Sequence, residues 1–307
     1  MITTYYRTLK DSKLQTVDDI RRGVWVHVVK PTQEELAQLS EELKLDNGLL
    51  QVATDFFEVP RFEAEDGVAY FYTRYVTRTA DDEMGTAPIL IAVGGSFVLT
   101  VTPSEAPFVT KMLESDIKII TTQKTKLFLQ LMFAINTRYT EALTNIRREV
   151  RRSRKSISDI RNRDIIRFAS LEDTLTDFTS ALVPTNTALR SMLSGNHLEL
   201  FEEDVDLVQD IRLSNEQLIE TARAIEHTII NVRSTYTTIT TNNLNQIIKM
   251  FTALTVILTV PTVIGSFFGM NVPVPFTGSP LGFWVVLMFA LLISALIAWI
   301  FFKRDWI

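Results

Sequence analysis

Two uncharged apolar stretches near the C-terminus constrain this chain more than anything that precedes them. Residues 250–268 and 283–302 contain no Asp, Glu, Lys or Arg. At 1.5 Å rise per residue, about 20 helical residues cross roughly 30 Å of hydrocarbon, so both stretches read as membrane-spanning helices. The second carries aromatic residues at both ends, where interfacial anchors belong. Only residues 269–282 lie between them, enough for a tight turn and a small loop. The chain is therefore expected to end as a transmembrane hairpin.

The first span is not uniformly apolar. Thr252, Thr255, Thr259, Thr262 and Ser266 recur at alternating spacings of three and four, which puts them on one helical face. Extending that register backwards reaches Ile248, Asn245, Thr241 and Thr238. Two readings fit. Hydroxyls are common where transmembrane helices pack, and they also bond their own backbone carbonyls. Alternatively, several copies surround an axis and the stripe faces a water-filled path for ions. Spacing alone does not separate the two. The second span has no such stripe, so it is expected to face lipid outside the first.

Charge sets the orientation. Lys249 lies at the start of the first span and Lys303 and Arg304 end the second, whereas the loop sequence VPVPFTGSPLG carries no charge. Positive residues stay on the cytoplasmic side, so both termini should be cytoplasmic in a multi-pass plasma-membrane protein. MITTYYRTLKDSK lacks the apolar core of a signal peptide. The chain has no cysteine, which excludes disulfides and thiolate metal sites and fits a reducing compartment. A formal net charge of -5 argues against nucleic acid as a partner.

Residues 1–120 read as an α+β cytoplasmic domain. GVWVHVV at 23–29 alternates like a strand, and Thr32 followed by Glu35 forms a capping-box signal for a helix to about Leu43. A short helix is expected around 49–56, strands over 61–64, 68–77, 87–93 and 97–102, and a helix near 105–114. Asp66-Gly67 and Gly94-Gly95 suit the hairpin turns.

Residues 121–198 show a helical period with hardly a Pro or Gly, predicting one long helix and then a second over about 163–193 that Pro184 kinks or interrupts. Ser194-Gly195-Asn196 ends the pattern. Arg147, Arg148, Arg151, Arg152, Arg154 and Lys155 make a basic cluster, read first as a solvated face paired with nearby acids. A patch touching anionic lipid headgroups is the second reading. Residues 199–268 then read as one stalk helix, about 100 Å long, running into the first span at about 249–268. Glu202, Glu203, Asp204 and Asp206 suit its first turns, but Asp210 lies farther in than dipole complementarity explains.

Gly269-Met270-Asn271 directly follows the first of two terminal spans, after a long helix containing NNLNQIIKMFT and a domain containing WVHVVKPTQEEL. In these features, along its whole length, the chain resembles the CorA family of divalent-cation channels, whose signature is GMN. The resemblance implies a homopentameric funnel, with the first span of each subunit lining the pore and membrane lipid around the second. It also implies a selectivity filter at Gly269, Met270 and Asn271, with the asparagine ring holding a hydrated cation. Asn245, Ile248, Thr252, Thr255, Thr259 and Thr262 fall on pore-facing positions. Asp210 matches an acidic stalk position that binds intracellular Mg2+ between subunits and holds the pore shut, with the Asp81, Asp82 and Glu83 loop as a weaker partner than its plain reading as a solvated hairpin.

The implied function is divalent-cation transport, Mg2+ first, with Co2+ and Ni2+ as further cargo, and no organic cofactor. The alternatives are a Zn2+ transporter of the same fold coupled to protons, and a non-transporting membrane-anchored oligomeric sensor. The three histidines, His27, His197 and His227, are scattered and read as core or surface residues rather than a zinc site. No nucleophile-base pair, phosphate loop or HExxH suggests an enzyme. The chain departs from the family pattern at Phe268, where tyrosine usually precedes GMN, and in an outer loop without acids. It also has threonines where the family's inner pore is apolar, leaving Ile248 and Phe251 as the narrowest apolar ring.

Overall fold

The computed structural model describes residues 1–79, 82–115, 117–154, 162–194, 202–271, 275, 281–304 and 306. The 81 position of the acidic hairpin, the 195–196 break, His197, Lys155 and most of the loop at 272–280 lie outside the described residues. Two compact units make up the chain, Met1–Asn231 and Val232–Ile307.

The first unit holds strands β1 (Ile2–Tyr6), β2 (Gln15–Thr16) and β3 (Val24–Val29), helices α1 (Gln33–Leu43) and α2 (Asn47–Val52), and strands β4 (Arg61–Glu65), β5 (Val68–Arg78), β6 (Met84–Val93) and β7 (Phe97–Thr102). Helices α3 (Pro107–Glu114), α4 (Lys124–Arg154) and α5 (Asn162–Ser194) follow, and α6 (Glu202–Phe268) begins in this unit. The sheet order is β2-β1-β3-β7-β6-β5-β4. Only the β3–β7 pair is parallel.

Local chemistry explains the start of α1: Thr32 accepts from the Glu35 backbone while the Glu35 carboxylate accepts from the Thr32 backbone, closing the expected capping box. The next helix departs from expectation. Asp46 caps it by accepting from the Leu49 backbone, so α2 starts at Asn47 and ends at Val52 rather than running over 49–56. At Asp66-Gly67 both residues take positive φ, 49° and 76°, the conformation a tight hairpin requires.

Both faces of the sheet are covered, which is why β5, β6 and β7 are almost continuously buried instead of alternating. On one face Val24, Val26 and Val28 of β3 join Tyr70 and Tyr72 of β5 beneath Leu36, Leu39 and Leu50 of α1 and α2. On the other, Phe71 meets Phe128 of α4 edge-on at 5.3 Å, and the hydroxyls of Thr73 and Thr185 of α5 lie 2.8 Å apart. His27 points to this second face, 7 % exposed. Thr100 Oγ1 accepts from Trp25 Nε1 at 3.0 Å and lies 2.8 Å from His27 Nδ1. Burial holds the His27 pKa down at about 4.

Helix α5 runs through Pro184 without a break, so the proline interrupts nothing. Two buried asparagines tie the beginning of α6 to the helices before it: Asn136 Nδ2 of α4 donates to Ile211 O at 3.2 Å, and Asn215 Nδ2 donates to Leu182 O of α5 at 2.8 Å. Such side-chain bonds reach backbone carbonyls across a helix interface and fix its register.

The second unit comprises α6 from Val232 onward and α7 (Gly282–Lys303). Gly282, Ala290 and Ser294 of α7 and Ala253 of α6 are buried in it. Small residues of this kind let two membrane helices approach closely.

Candidate functional site

Within the second unit the first span has two distinct faces. Ala253, Ile257, Val260, Pro261 and Ile264 are buried or half-buried. Thr252, Thr255, Thr259 and Thr262 are exposed, as are Ser266, Ile248 and Asn245. At 100° per residue the centre of the threonine set lies roughly 160° around the helix from the centre of the packed set. The second span therefore occupies the side opposite the stripe.

Every one of these threonines donates its hydroxyl proton to the carbonyl four residues back. Thr252 bonds Ile248 O at 2.8 Å, Thr255 bonds Phe251 O at 2.8 Å, Thr259 bonds Thr255 O at 2.7 Å and Thr262 bonds Leu258 O at 2.9 Å. A carbonyl only accepts, so the hydroxyls are the donors. What the stripe offers outward is oxygen lone pairs. Two such faces brought together cannot hydrogen-bond directly, because acceptor would meet acceptor. A donor such as water completes them.

The packed face contains a contact that spacing did not reveal. Pro261 has no N–H, so the carbonyl of Ile257 loses the helical partner it would otherwise have. Ser294 Oγ of α7 donates to that carbonyl at 3.4 Å. The signal was present in the sequence: a proline inside a span, and one hydroxyl in an otherwise apolar partner helix.

The end of α6 carries the tripeptide. Gly269 N donates to Gly265 O at 3.0 Å, continuing the helical ladder for one residue past Phe268, and Met270 N donates to Phe267 O at 3.4 Å. Asn271 is exposed. A Cβ built on Gly269 would find its nearest neighbours at 3.4 and 3.5 Å, ordinary contact distances. Among the described residues nothing in the protomer gives a steric reason for glycine there. An apolar hollow of about 440 Å³ beside it is lined by residues of both spans, Ile264, Phe268 and Val286 among them.

In the first unit Asp210 is exposed on α6. Among the described residues no group of three His, Asp or Glu side chains could hold a metal. The acidic hairpin is engaged locally: Asp82 pairs with Arg78 at 2.7 Å, and Glu83 accepts from Ser170 Oγ at 2.7 Å. His227 is exposed. The basic cluster differs from its first reading. Arg147, Arg148, Arg151 and Arg152 are exposed as expected, but they have no carboxylate partner among the described residues, since Glu149 pairs instead with Arg167 of α5.

Among the described residues two helices, α6 and α7, are long and apolar enough to cross a membrane, and they fit a C-terminal two-helix membrane hairpin that follows a sheet-and-bundle unit. The sequence profile of a family described as "CorA-like Mg2+ transporter protein" matches residues 21–304. The cobalt/magnesium transport protein CorA of Methanocaldococcus jannaschii is 23% identical over 298 residues, covering 93% of this chain and 92% of its own length. The complete structure of the CorA magnesium transporter from that organism superposes with a TM-score of 0.87 at 21% identity, over 100% of this chain and 99% of the other. The ZntB cytoplasmic domain from Vibrio parahaemolyticus shares the fold over 78% of this chain and 98% of its own, with a TM-score of 0.64 at 11% identity. The chain belongs to the CorA family. It is thus an ion transporter by descent and not an enzyme.

Proposed function

We propose that this protein is a divalent-cation channel of the plasma membrane, that Mg2+ is its principal cargo, and that five copies surround the conducting path. The relatives named for Mg2+ transport support the ion, and Co2+ follows from the cobalt in the name of the Methanocaldococcus relative. The observation that carries the reading is the threonine face, free of the second span and presenting only acceptors. Water around a cation points its hydrogens outward, so an acceptor-lined wall suits a hydrated ion. Mg2+ gives up water reluctantly, and a neutral oxygen lining spares it that cost. Zn2+ prefers nitrogen and sulfur ligands, which this wall lacks.

In this reading Asn271, at the end of the same helix, joins Gly269 and Met270 as the filter, where side-chain and backbone oxygens hold the outer hydration shell. That no described residue of the protomer crowds Gly269 fits crowding by neighbouring copies at that level. Asn245 and Ile248 continue the face at the cytoplasmic end. An inside-negative potential of 100 mV contributes about 4.6 kcal/mol to inward movement of a double charge. Asp210, exposed and without an ion-pair partner among the described residues, would share intracellular Mg2+ with an adjacent copy and favour a closed state, so that falling internal metal opens the path.

Uptake into liposomes, comparing Mg2+, Co2+, Ni2+ and Zn2+ with and without a pH gradient, tests the proposal. Mg2+ entry should need no proton gradient, and Asn271→Ala should lower it at least about tenfold, the scale of one lost filter contact per subunit. Flux that vanishes without the proton gradient overturns the channel reading. Absence of any cation flux favours a non-transporting sensor.

A further inference from the structure

The arginines near the end of α4 are not used by the permeation path proposed above. Elsewhere on the helices arginines are neutralised: Arg138 by Glu141 at 2.6 Å, Arg167 by Glu149, Arg212 by Glu216 at 2.6 Å and Arg223 by Glu220 at 3.0 Å. Arg147 and Arg151 have no such partner among the described residues, and both line a groove of about 470 Å³ between α4 and α6. The other walls are Val150 of α4 and Ala224, Ile225 and Thr228 of α6. Val150 and Ile225 are 2% and 3% exposed, so they form a fixed apolar floor. Thr228 donates its proton to Ala224 O at 2.8 Å, so that wall supplies no donor.

Hydrogen-bond donation into the groove therefore comes from the two guanidiniums. They stand one helical turn apart, about 6 Å between Cβ atoms, with forked N–H groups that match phosphate oxygens. Glu149, the one carboxylate within the stretch, is held by Arg167 through both its oxygens at 2.7 and 3.3 Å and leaves the positive charge in place. The volume exceeds that of inorganic phosphate and falls in the range of small-molecule sites. We infer that the groove between α4 and α6 binds a phosphate-bearing anion, with Arg147 and Arg151 holding the phosphate and Val150 and Ile225 supporting its apolar portion. A soluble organic phosphate and a phospholipid headgroup share this chemistry.

The test uses the full chain in nanodiscs, with chelator present so that no divalent cation takes part, and ATP as the soluble probe. In phosphatidylcholine discs ATP should bind saturably. The double variant R147Q/R151Q should weaken it at least about tenfold through loss of two charge-assisted contacts. R148Q/R152Q removes the same charge off the groove and should weaken it less than about threefold, as screened surface charges do. An unchanged melting temperature without ATP verifies that both variants fold. Binding that persists in phosphatidylglycerol discs identifies a soluble ligand, and binding displaced there identifies the lipid headgroup as a competitor for the same groove. No saturable ATP binding, or equal loss in the two double variants, overturns the inference.

Discussion

A threonine hydroxyl has one proton, and along the first span that proton always goes back to the helix's own backbone. The face is polar without being able to bond its equals, which is why its surroundings matter more than its spacing. Asp210 tests the sensing role at the same scale: Asp210→Ala should require a higher internal Mg2+ concentration to reduce current, and unchanged inhibition in patch recordings removes it from the sensor. His27 carries a different prediction. Its folded pKa of about 4 lies below the ordinary 6.5, because burial penalises the imidazolium. Between those values the unfolded chain binds more protons, so stability is whole above about 6.5 and declines as pH falls toward 4, by up to about 3 kcal/mol. His27→Gln removes that titration. Its melting temperature should fall less between pH 7 and about 4.5 than that of the unsubstituted protein. An equal fall means that other groups govern acid stability.

At the scale of elements, the pairing of Pro261 with Ser294 makes the hairpin more than two apolar rods. Ser294→Ala leaves the Ile257 carbonyl unsatisfied in an apolar interface and should cost about 0.5–1.5 kcal/mol. Pro261→Ala restores an N–H for that carbonyl, so the serine substitution should cost distinctly less in its presence. Thermal unfolding in detergent across the four variants measures this coupling, and simple additivity contradicts the contact. Elements whose cause is local were legible in advance. The Thr32 capping box, the Asp66-Gly67 turn and the alternation of β3 each follow from neighbouring residues. Strands β1 and β2 were not legible, because β1 is held by pairing with β3 more than twenty residues away and β2 by two residues against β1. Stripe and tripeptide could likewise be read from spacing, but which side of the first span the second would take depends on packing of Ala253, Ala290 and Ser294. The arginine cluster departs from its reading as a face paired with nearby acids because Glu149, the acid within that stretch, is reached instead by Arg167 of α5, a pairing set by how two helices pack.

At the scale of the whole molecule, the described residues of one copy cover neither the polar stripe nor Asp210 and give Gly269 no steric need. All three are accounted for if copies surround an axis, and native mass measurement should then give five per particle. The absence of cysteine permits the most direct test, since single cysteines can be introduced without altering the background. T255C and T259C place a thiol on the stripe, and L292C places one on an exposed apolar position of α7. If the stripe lines a water-filled path, a charged, membrane-impermeant thiol reagent should modify T255C and T259C in liposomes and block Mg2+ flux through them, while L292C remains unmodified and conducting. Stripe cysteines that react no faster than L292C, with flux intact, would contradict the account.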